Sequence, residues 1–159
     1  MKQKALSGWL KAAVIGLGIV GLFVYAFIIP SYGGSLRAQY PEFANCYWPW
    51  VIFLWGSGVP CYAALVFGWK IFGNIGRDRS FCAENAKYMQ AISLLAAGDT
   101  VYFFLGNVIL LLLNMSHPGV TLFSMAVVAI GTAVFIAAAA LSHLIRKAAV
   151  LQEQSDLTI

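Results

Sequence analysis

The chain has very little charge. Only 10% of its 159 residues are Asp, Glu, Lys or Arg, and 61% are hydrophobic. An ordinary soluble domain has about 25% charged and about 45–50% apolar residues. This balance excludes an ordinary soluble protein and indicates an integral membrane protein. Nearly all of the chain is expected to lie in membrane spans, since a soluble domain usually needs about 50 residues or more.

Residues that bind metals or carry out catalysis are also scarce. The chain has two histidines and three cysteines, and they do not cluster at metal-ligand spacing. It has no serine nucleophile elbow, paired carboxylate site or glycine-rich phosphate loop. We therefore predict no enzymatic activity, no metal or other cofactor and no direct binding of nucleic acid. Cys46 and Cys61 are expected about 20 Å apart along a helix, too far for a disulfide, so all three thiols are predicted to be unpaired.

Long apolar segments dominate what is present. They predict an all-α polytopic membrane protein, an antiparallel bundle of four transmembrane helices in a single membrane domain. The predicted spans are about 10–29, 50–72, 89–114 and 120–144, with a connector at 73–88 and a tail at 145–159.

Prolines and glycines predict where these helices are interrupted. Pro30 is expected to end the first span because proline cannot donate a backbone hydrogen bond. The following segment, 31–49, is expected to be the longest loop. In the second span, Gly58 and Pro60 predict a kink or a locally loosened helix. The third helix is expected to run unbroken from about Ala83 to Asn114.

The basic residues predict the orientation. Nine of the ten Lys and Arg residues lie on the side of the two termini and the connector, and only Arg37 lies on the other side. By the positive-inside rule, both termini and the connector are cytoplasmic. We expect a multi-pass protein of a bacterial cytoplasmic (inner) membrane, with the lipid bilayer as its first partner.

Asp99 is the most informative residue of the spans. An ionisable group near the centre of a membrane helix costs about 3 kcal/mol on insertion scales. A functional interpretation makes it a proton or cation site, or a ligand contact. A structural interpretation makes it a protonated or hydrogen-bonded acid that fixes the packing of the helices, with Tyr62, Ser57, Ser124 or Thr132 as its partner. The intramembrane polar candidates are Asp99, Tyr102, Asn107 and Tyr62.

Two short motifs at the cytoplasmic side carry a resemblance. Phe81-Cys82-Ala83-Glu84-Asn85 opens the third helix, and Asp156-Leu157-Thr158-Ile159 ends the chain. Together they resemble the signatures of a bacterial membrane family known as domain of unknown function 2975, with Cys82 in place of the usual serine. The resemblance covers the whole chain and implies no established activity. Members are often encoded beside a small helix-turn-helix regulator, which suggests, by association, a membrane-linked control of transcription.

Three functions follow as expectations. The first is a non-enzymatic membrane regulator or sensor that docks a small transcriptional regulator through Phe81, Glu84, Asn85 and the tail Asp156, Leu157, Thr158 and Ile159. A purely structural role for both motifs, in which they pack on each other, is the alternative reading of that surface. The second function is a small-solute or ion carrier, or a ligand-binding protein, that uses Asp99. The third is an accessory subunit of a larger membrane complex, and a second copy of the chain is also a candidate partner.

Overall fold

The computed structural model describes residues 3–156, and all of its regular structure is helical. The elements are α1 (Gln3–Phe23), a π-turn (Val24–Ile28), α2 (Ile29–Gln39), a 3-10 turn (Pro41–Cys46), α3 (Tyr47–Ile75), α4 (Ala83–Leu112) and α5 (Pro118–Asp156). Four helical segments are long and apolar enough to cross a membrane. The predicted all-α class with four membrane-crossing helices is confirmed.

Neighbouring helices run antiparallel, as the paired residues show. In α1 and α3, the Ser7 hydroxyl donates to Phe72 O near one end of the pair, and Tyr62 donates to Gly18 O nearer the middle. Between α4 and α5, the Ser142 hydroxyl donates to Ala86 O at 2.8 Å, and Gly131 lies against the Thr100 side chain farther along. In each pair, residue numbers rise on one helix as they fall on the other.

The four long helices contact each other in chain order. The α1 helix packs on α3, α3 packs on α4, and α4 packs on α5. Within the described residues, α1 approaches neither α4 nor α5. The bundle is therefore an open row rather than a closed ring, and the outer faces of α1 and α5 are left to the lipid.

The buried positions are mostly small or polar. Large apolar side chains such as Leu122 and Phe123 are about three-quarters exposed, as expected for residues that face acyl chains. Small and polar side chains lie at the helix contacts instead, where they allow close approach and hydrogen bonding. The buried polar residues are Ser7, Ser57, Asn74, Asn85, Ser93, Asn107, Ser116, Ser124 and Ser142.

The first helix does not end at Pro30, contrary to the prediction. A helix continues through Pro30 to Gln39, and most of the predicted loop 31–49 is helical. Pro30 follows the π-turn without a break in the helix, so its missing N–H leaves a carbonyl of the preceding turn without a donor. The π-turn just before it widens the helix where the proline ring would otherwise meet the preceding turn.

The same π-turn frees one backbone carbonyl. The N–H of Ile29 donates to Val24 O instead of Tyr25 O, and Pro30 has no N–H to offer. Tyr25 O is therefore without a backbone donor from the next turn. The indole Nε1 of Trp55, on α3, donates to it at 2.9 Å. This bond ties the irregular turn to the second span.

Removing the indole donor should weaken this attachment. We expect Trp55→Phe to lower the free energy of unfolding by about 1 kcal/mol, because Tyr25 O then has no partner. In a Pro30→Ala background the loss should shrink, since the substituted residue supplies a backbone N–H near that carbonyl. The measurement is a double-mutant cycle by SDS-induced unfolding in mixed micelles. Trp48→Phe is the control, because Trp48 is 60% exposed. If Trp55→Phe lowered the free energy of unfolding equally in the native and the Pro30→Ala backgrounds, the explanation would be contradicted.

The other helices follow the predictions more closely. The α4 helix begins at Ala83 and is unbroken to Leu112. The α3 helix contains Pro60 but is one continuous helix, so the predicted loosening does not interrupt it. Cys46, Cys61 and Cys82 are unpaired, as predicted.

Basic side chains gather at one end of the row, which we call the basic end. There the Lys11 ammonium lies 5.0 Å from the centre of the Trp69 ring. The Lys70 ammonium lies 5.5 Å from the Phe67 ring centre and 5.4 Å from that of Tyr88. Lysine and aromatic side chains are typical of the membrane–water interface. Such contacts are expected where α1 and α3 leave the hydrocarbon region.

Candidate functional site

Asp99 lies where α4 packs against α3. One carboxylate oxygen, Oδ2, accepts a weak hydrogen bond from the Cys61 thiol at 3.8 Å. The other oxygen, Oδ1, is buried and has no hydrogen-bond partner among residues 3–156. No lysine, arginine or histidine in that range forms an ion pair with it. Because an unpaired carboxylate is costly in a bilayer, this arrangement accommodates a proton or a bound cation.

The partner predicted for Asp99 is corrected. Tyr62 is one residue from Cys61, and each step along a helix turns the side chain by about 100°. Tyr62 consequently points to α1 and donates to Gly18 O at 2.7 Å. Ser124 and Thr132 each donate to the carbonyl four residues earlier in α5, a common alternative for hydroxyls in helices.

Two further polar residues connect this site to the first helix. Ser57, also proposed as a partner of Asp99, donates to Leu54 O at 2.9 Å and lies 3.3 Å from the Tyr25 hydroxyl. Tyr25 comes from the π-turn, and its ring packs against Gly58, whose missing side chain makes the room. Polar groups of the π-turn, α3 and α4 thus lie together, from the Tyr25 hydroxyl to the Asp99 carboxylate. We call Tyr25, Ser57, Cys61 and Asp99 the polar cluster.

Tyr102 and Asn107 lie outside the polar cluster. The Tyr102 hydroxyl donates to Phe53 O at 3.0 Å. Asn107 is fully buried, and its Nδ2 donates to Phe103 O at 2.8 Å. Its Oδ1 is buried without a partner among the described residues. Both side chains bind backbone carbonyls, which gives them a packing role, and the Tyr102 ring centre lies 5.2 Å from that of Phe53.

The connector motif divides into a buried and an exposed part. Asn85 is 0% exposed. Its Nδ2 donates to Arg79 O at 3.2 Å and to Ser80 O at 2.9 Å, and its Oδ1 accepts from Asn74 Nδ2 at 2.8 Å. The prediction that Asn85 belongs to a partner surface is therefore wrong, because no partner can reach it. Its role is to hold the connector against the ends of α3 and α4.

The remaining motif residues are accessible or lie outside the described residues. Phe81 is 57% exposed. Glu84 is about half exposed, and its carboxylate lies 3.6 Å from the Arg79 guanidinium. Cys82 precedes α4 without a side-chain cap. Asp156 is the last residue of α5, and the structure describes nothing of Leu157, Thr158 and Ile159.

Among residues 3–156, no three or more His, Cys, Asp or Glu side chains are grouped so that they could hold a metal ion. The sequence-predicted residues are thus distributed over three places: the polar cluster with Asp99, the packing contacts of Tyr62, Tyr102 and Asn107, and the connector. Sequence reasoning missed Tyr25 and Cys61. In the sequence, Gly58 and Pro60 indicated an unusual stretch of α3 near Cys61. They did not indicate which residues of the other helices pack against it.

Known proteins support the membrane assignment and leave the activity open. Residues 31–159 match the family described as "Protein of unknown function (DUF2975)". The chain belongs to this family. It is also similar to the "Uncharacterized membrane protein YoaS" of Bacillus subtilis (strain 168), with 22% identity over 153 residues, which cover 95% of this chain and 96% of the relative. No solved structure matches the chain significantly. The resemblance to DUF2975 is confirmed over residues 31–159.

Proposed function

We propose that this protein is a non-enzymatic protein of a bacterial inner membrane whose basic end lies in the cytoplasm and docks a small helix-turn-helix regulator. The orientation is supported by the nine-to-one distribution of Lys and Arg. The class of partner rests on the genomic association noted for the family. The docking surface consists of Phe81, Glu84 and the end of α5 with the tail.

The exposed ring of Phe81 is the observation that carries this proposal. Phe81 follows Trp69 and Lys70 in the chain, in the connector at the basic end, so the proposal places its ring in water rather than in lipid. Asn85 fixes the connector on which it stands, since it binds the carbonyls of Arg79 and Ser80. A rigid, exposed aromatic side chain is typical of a binding hot spot. The neighbouring Arg79–Glu84 pair contributes little to stability at the surface and is available to a partner.

The end of α5 provides the second part of the surface. The helix continues for twelve residues beyond Leu144 to Asp156, a length of about 18 Å. Leu151 is 66% exposed on this extension. An apolar side chain on a helix outside the bilayer is explained well by a protein partner, and the extension leads directly to Leu157, Thr158 and Ile159.

Binding to a purified regulator tests the proposal. The protein is placed in nanodiscs, and the probe is a small helix-turn-helix regulator of the kind encoded beside members of this family. We expect Phe81→Ala to weaken binding by about 30-fold, the effect of losing one hot spot of about 2 kcal/mol. Deletion of residues 152–159 should weaken it further. Phe123→Ala is the matched control, because Phe123 is 76% exposed at the opposite end. Unchanged binding by both Phe81→Ala and the protein without residues 152–159 would refute the proposal.

A second candidate function is a carrier or ligand-binding protein that uses Asp99. The specific observation is the buried, unpaired Oδ1 in a cluster contributed by three helices. A lone acid at this depth, without a cation among its described neighbours, is typical of proton and cation pathways.

Proteoliposomes with an entrapped pH indicator test this candidate. If it is correct, the protein carries protons, or protons in exchange for Na⁺, and Asp99→Asn reduces the flux to that of protein-free vesicles without loss of helicity. Asp78→Asn is the control, because Asp78 lies in the connector with φ of 59°, a conformation that asparagine adopts readily. A flux that is equal in the native protein and Asp99→Asn would exclude this function.

A further inference from the structure

We propose that a groove beside the π-turn binds one acyl chain of a membrane phospholipid. The groove lies between the end of α1 with its π-turn and the middle of α3; it is wide open on one side and has a volume of about 460 Å³. Its walls include Leu22, Ala26, Gly58 and Val59. This inference is independent of the docking function, since it concerns a different face and a different partner.

The groove forms where small residues of the π-turn and α3 meet. Ala26 and Gly58 both line it and contribute little side-chain volume. The Tyr25 ring rests on Gly58 and closes the side toward the polar cluster.

The polar atoms of the lining are already paired. The Tyr62 hydroxyl donates to Gly18 O, and the Trp55 indole donates to Tyr25 O. The Tyr25 hydroxyl lies 3.3 Å from Ser57 Oγ on the side of the polar cluster. An occupant is therefore offered apolar contacts and no free hydrogen-bonding group. Water is a poor occupant of such a space, whereas a hydrocarbon chain matches it.

The position of the groove along the bilayer normal indicates which leaflet supplies the acyl chain. Tyr25 is fourteen residues from Lys11 along the first helix, about 21 Å, and Gly58 is twelve residues from Lys70 along α3, about 18 Å. Lys11 and Lys70 mark the interface at the basic end, and the hydrocarbon region is about 30 Å thick. The groove consequently lies just beyond the bilayer centre, within reach of acyl chains from the leaflet opposite the basic end.

The groove opens to the lipid through exposed side chains. Leu22 is 60% exposed and Val59 is 70% exposed. The open row of helices leaves this side of α1 and α3 uncovered by any other described element. One acyl chain of a phospholipid can therefore enter from the bilayer while the headgroup of that lipid stays at the membrane surface.

Photolabelling tests this assignment. The full-length protein is reconstituted in phosphatidylethanolamine and phosphatidylglycerol vesicles that contain a trace of a phospholipid with a diazirine at the middle of one acyl chain. After illumination, mass spectrometry locates the adducts. We expect them to concentrate on residues 22–26 and 55–62, above the level on the equally exposed lipid face of α5 at 130–141. Uniform labelling of all lipid-facing segments would overturn the proposal.

Variants that fill the groove supply the second readout. Ala26→Phe and Val59→Trp place a large side chain in the groove from opposite walls. Because two variants are compared, a local disturbance caused by one of them does not decide the labelling result. Each should reduce groove labelling by about tenfold, the effect of about two buried methylenes losing their contacts. Ala13→Phe and Val66→Trp are matched controls on the same helices outside the groove. Labelling that neither filling variant reduces would refute the site. Labelling by a diazirine fatty acid but not by the phospholipid would refute the assigned occupant.

Discussion

Replacing Asn85 with alanine is expected to lower the free energy of unfolding by about 3 kcal/mol. The substitution removes three hydrogen bonds of a fully buried side chain and leaves the amide of Asn74, which is 9% exposed, without its partner. Net hydrogen-bond contributions are about 1 kcal/mol each, and an unsatisfied buried group costs about 1–3 kcal/mol. The effect on the connector should be large because Arg79 O and Ser80 O are both held by this one amide.

Two measurements follow the loss of Asn85. Thermal unfolding in detergent by circular dichroism reports the lower stability of Asn85→Ala. Limited trypsin digestion reports the connector directly, since Arg77 and Arg79 are cleavage sites that become more accessible when it detaches. Asn45→Ala is the control, because Asn45 is exposed. If Asn85→Ala resisted heat and trypsin as the native protein does, the proposed role of this residue would be wrong.

Adding one methyl group at Gly106 is expected to cost about 2 kcal/mol, as in other overpacked interiors. A Cβ at this position would overlap the Phe53 ring, with Cδ2 and Cζ only 2.8 Å away. The ring cannot move aside easily, since it stacks on Phe103 with 5.3 Å between centres and lies 5.2 Å from the Tyr102 ring. The contact between α3 and α4 must therefore open at this level.

Gly98→Ala is a sensitive control for the same helix. No atom lies within 4 Å of a Cβ at Gly98, so the substitution should be neutral or stabilise by up to about 1 kcal/mol through helix propensity. Phe53→Leu combined with Gly106→Ala should recover part of the lost stability, because the smaller side chain makes room. SDS-induced unfolding measures all of these variants. Equal stability of Gly106→Ala and Gly98→Ala would contradict the packing described here.

Much of the fold could be predicted from hydropathy and charge. Long apolar runs can only cross a membrane as helices, because the backbone must satisfy its own hydrogen bonds there. The close approach at Gly106 is of the kind that a glycine in a membrane helix indicates. The continuation of the first helix beyond Pro30 was not predictable in this way. Gly33 and Gly34 favour a loop by local propensity, yet the structure has a helix there.

The candidate site could be predicted only in part. Asp99 was evident as the single acid within the spans, but its partner depends on how α3 is rotated about its axis. Rotating α3 by about 100° would bring Tyr62 instead of Cys61 to Asp99. The apolar spans have little hydrophobic periodicity that would predict this rotation. Tyr25 was missed for a related reason, since its position depends on the π-turn. Asn85 looked accessible because polar connector residues usually are, and only the folded connector shows the carbonyls that bury it.

The open row of helices has a consequence for biosynthesis. Each membrane-crossing helix packs on the one made just before it, so every contact can form as soon as the next helix enters the bilayer. No helix has to wait for a distant part of the chain, and contacts of this local kind form quickly. A nascent chain that ends after α4 already contains the polar cluster and the acyl-chain groove. The order of synthesis is thus also the order of assembly.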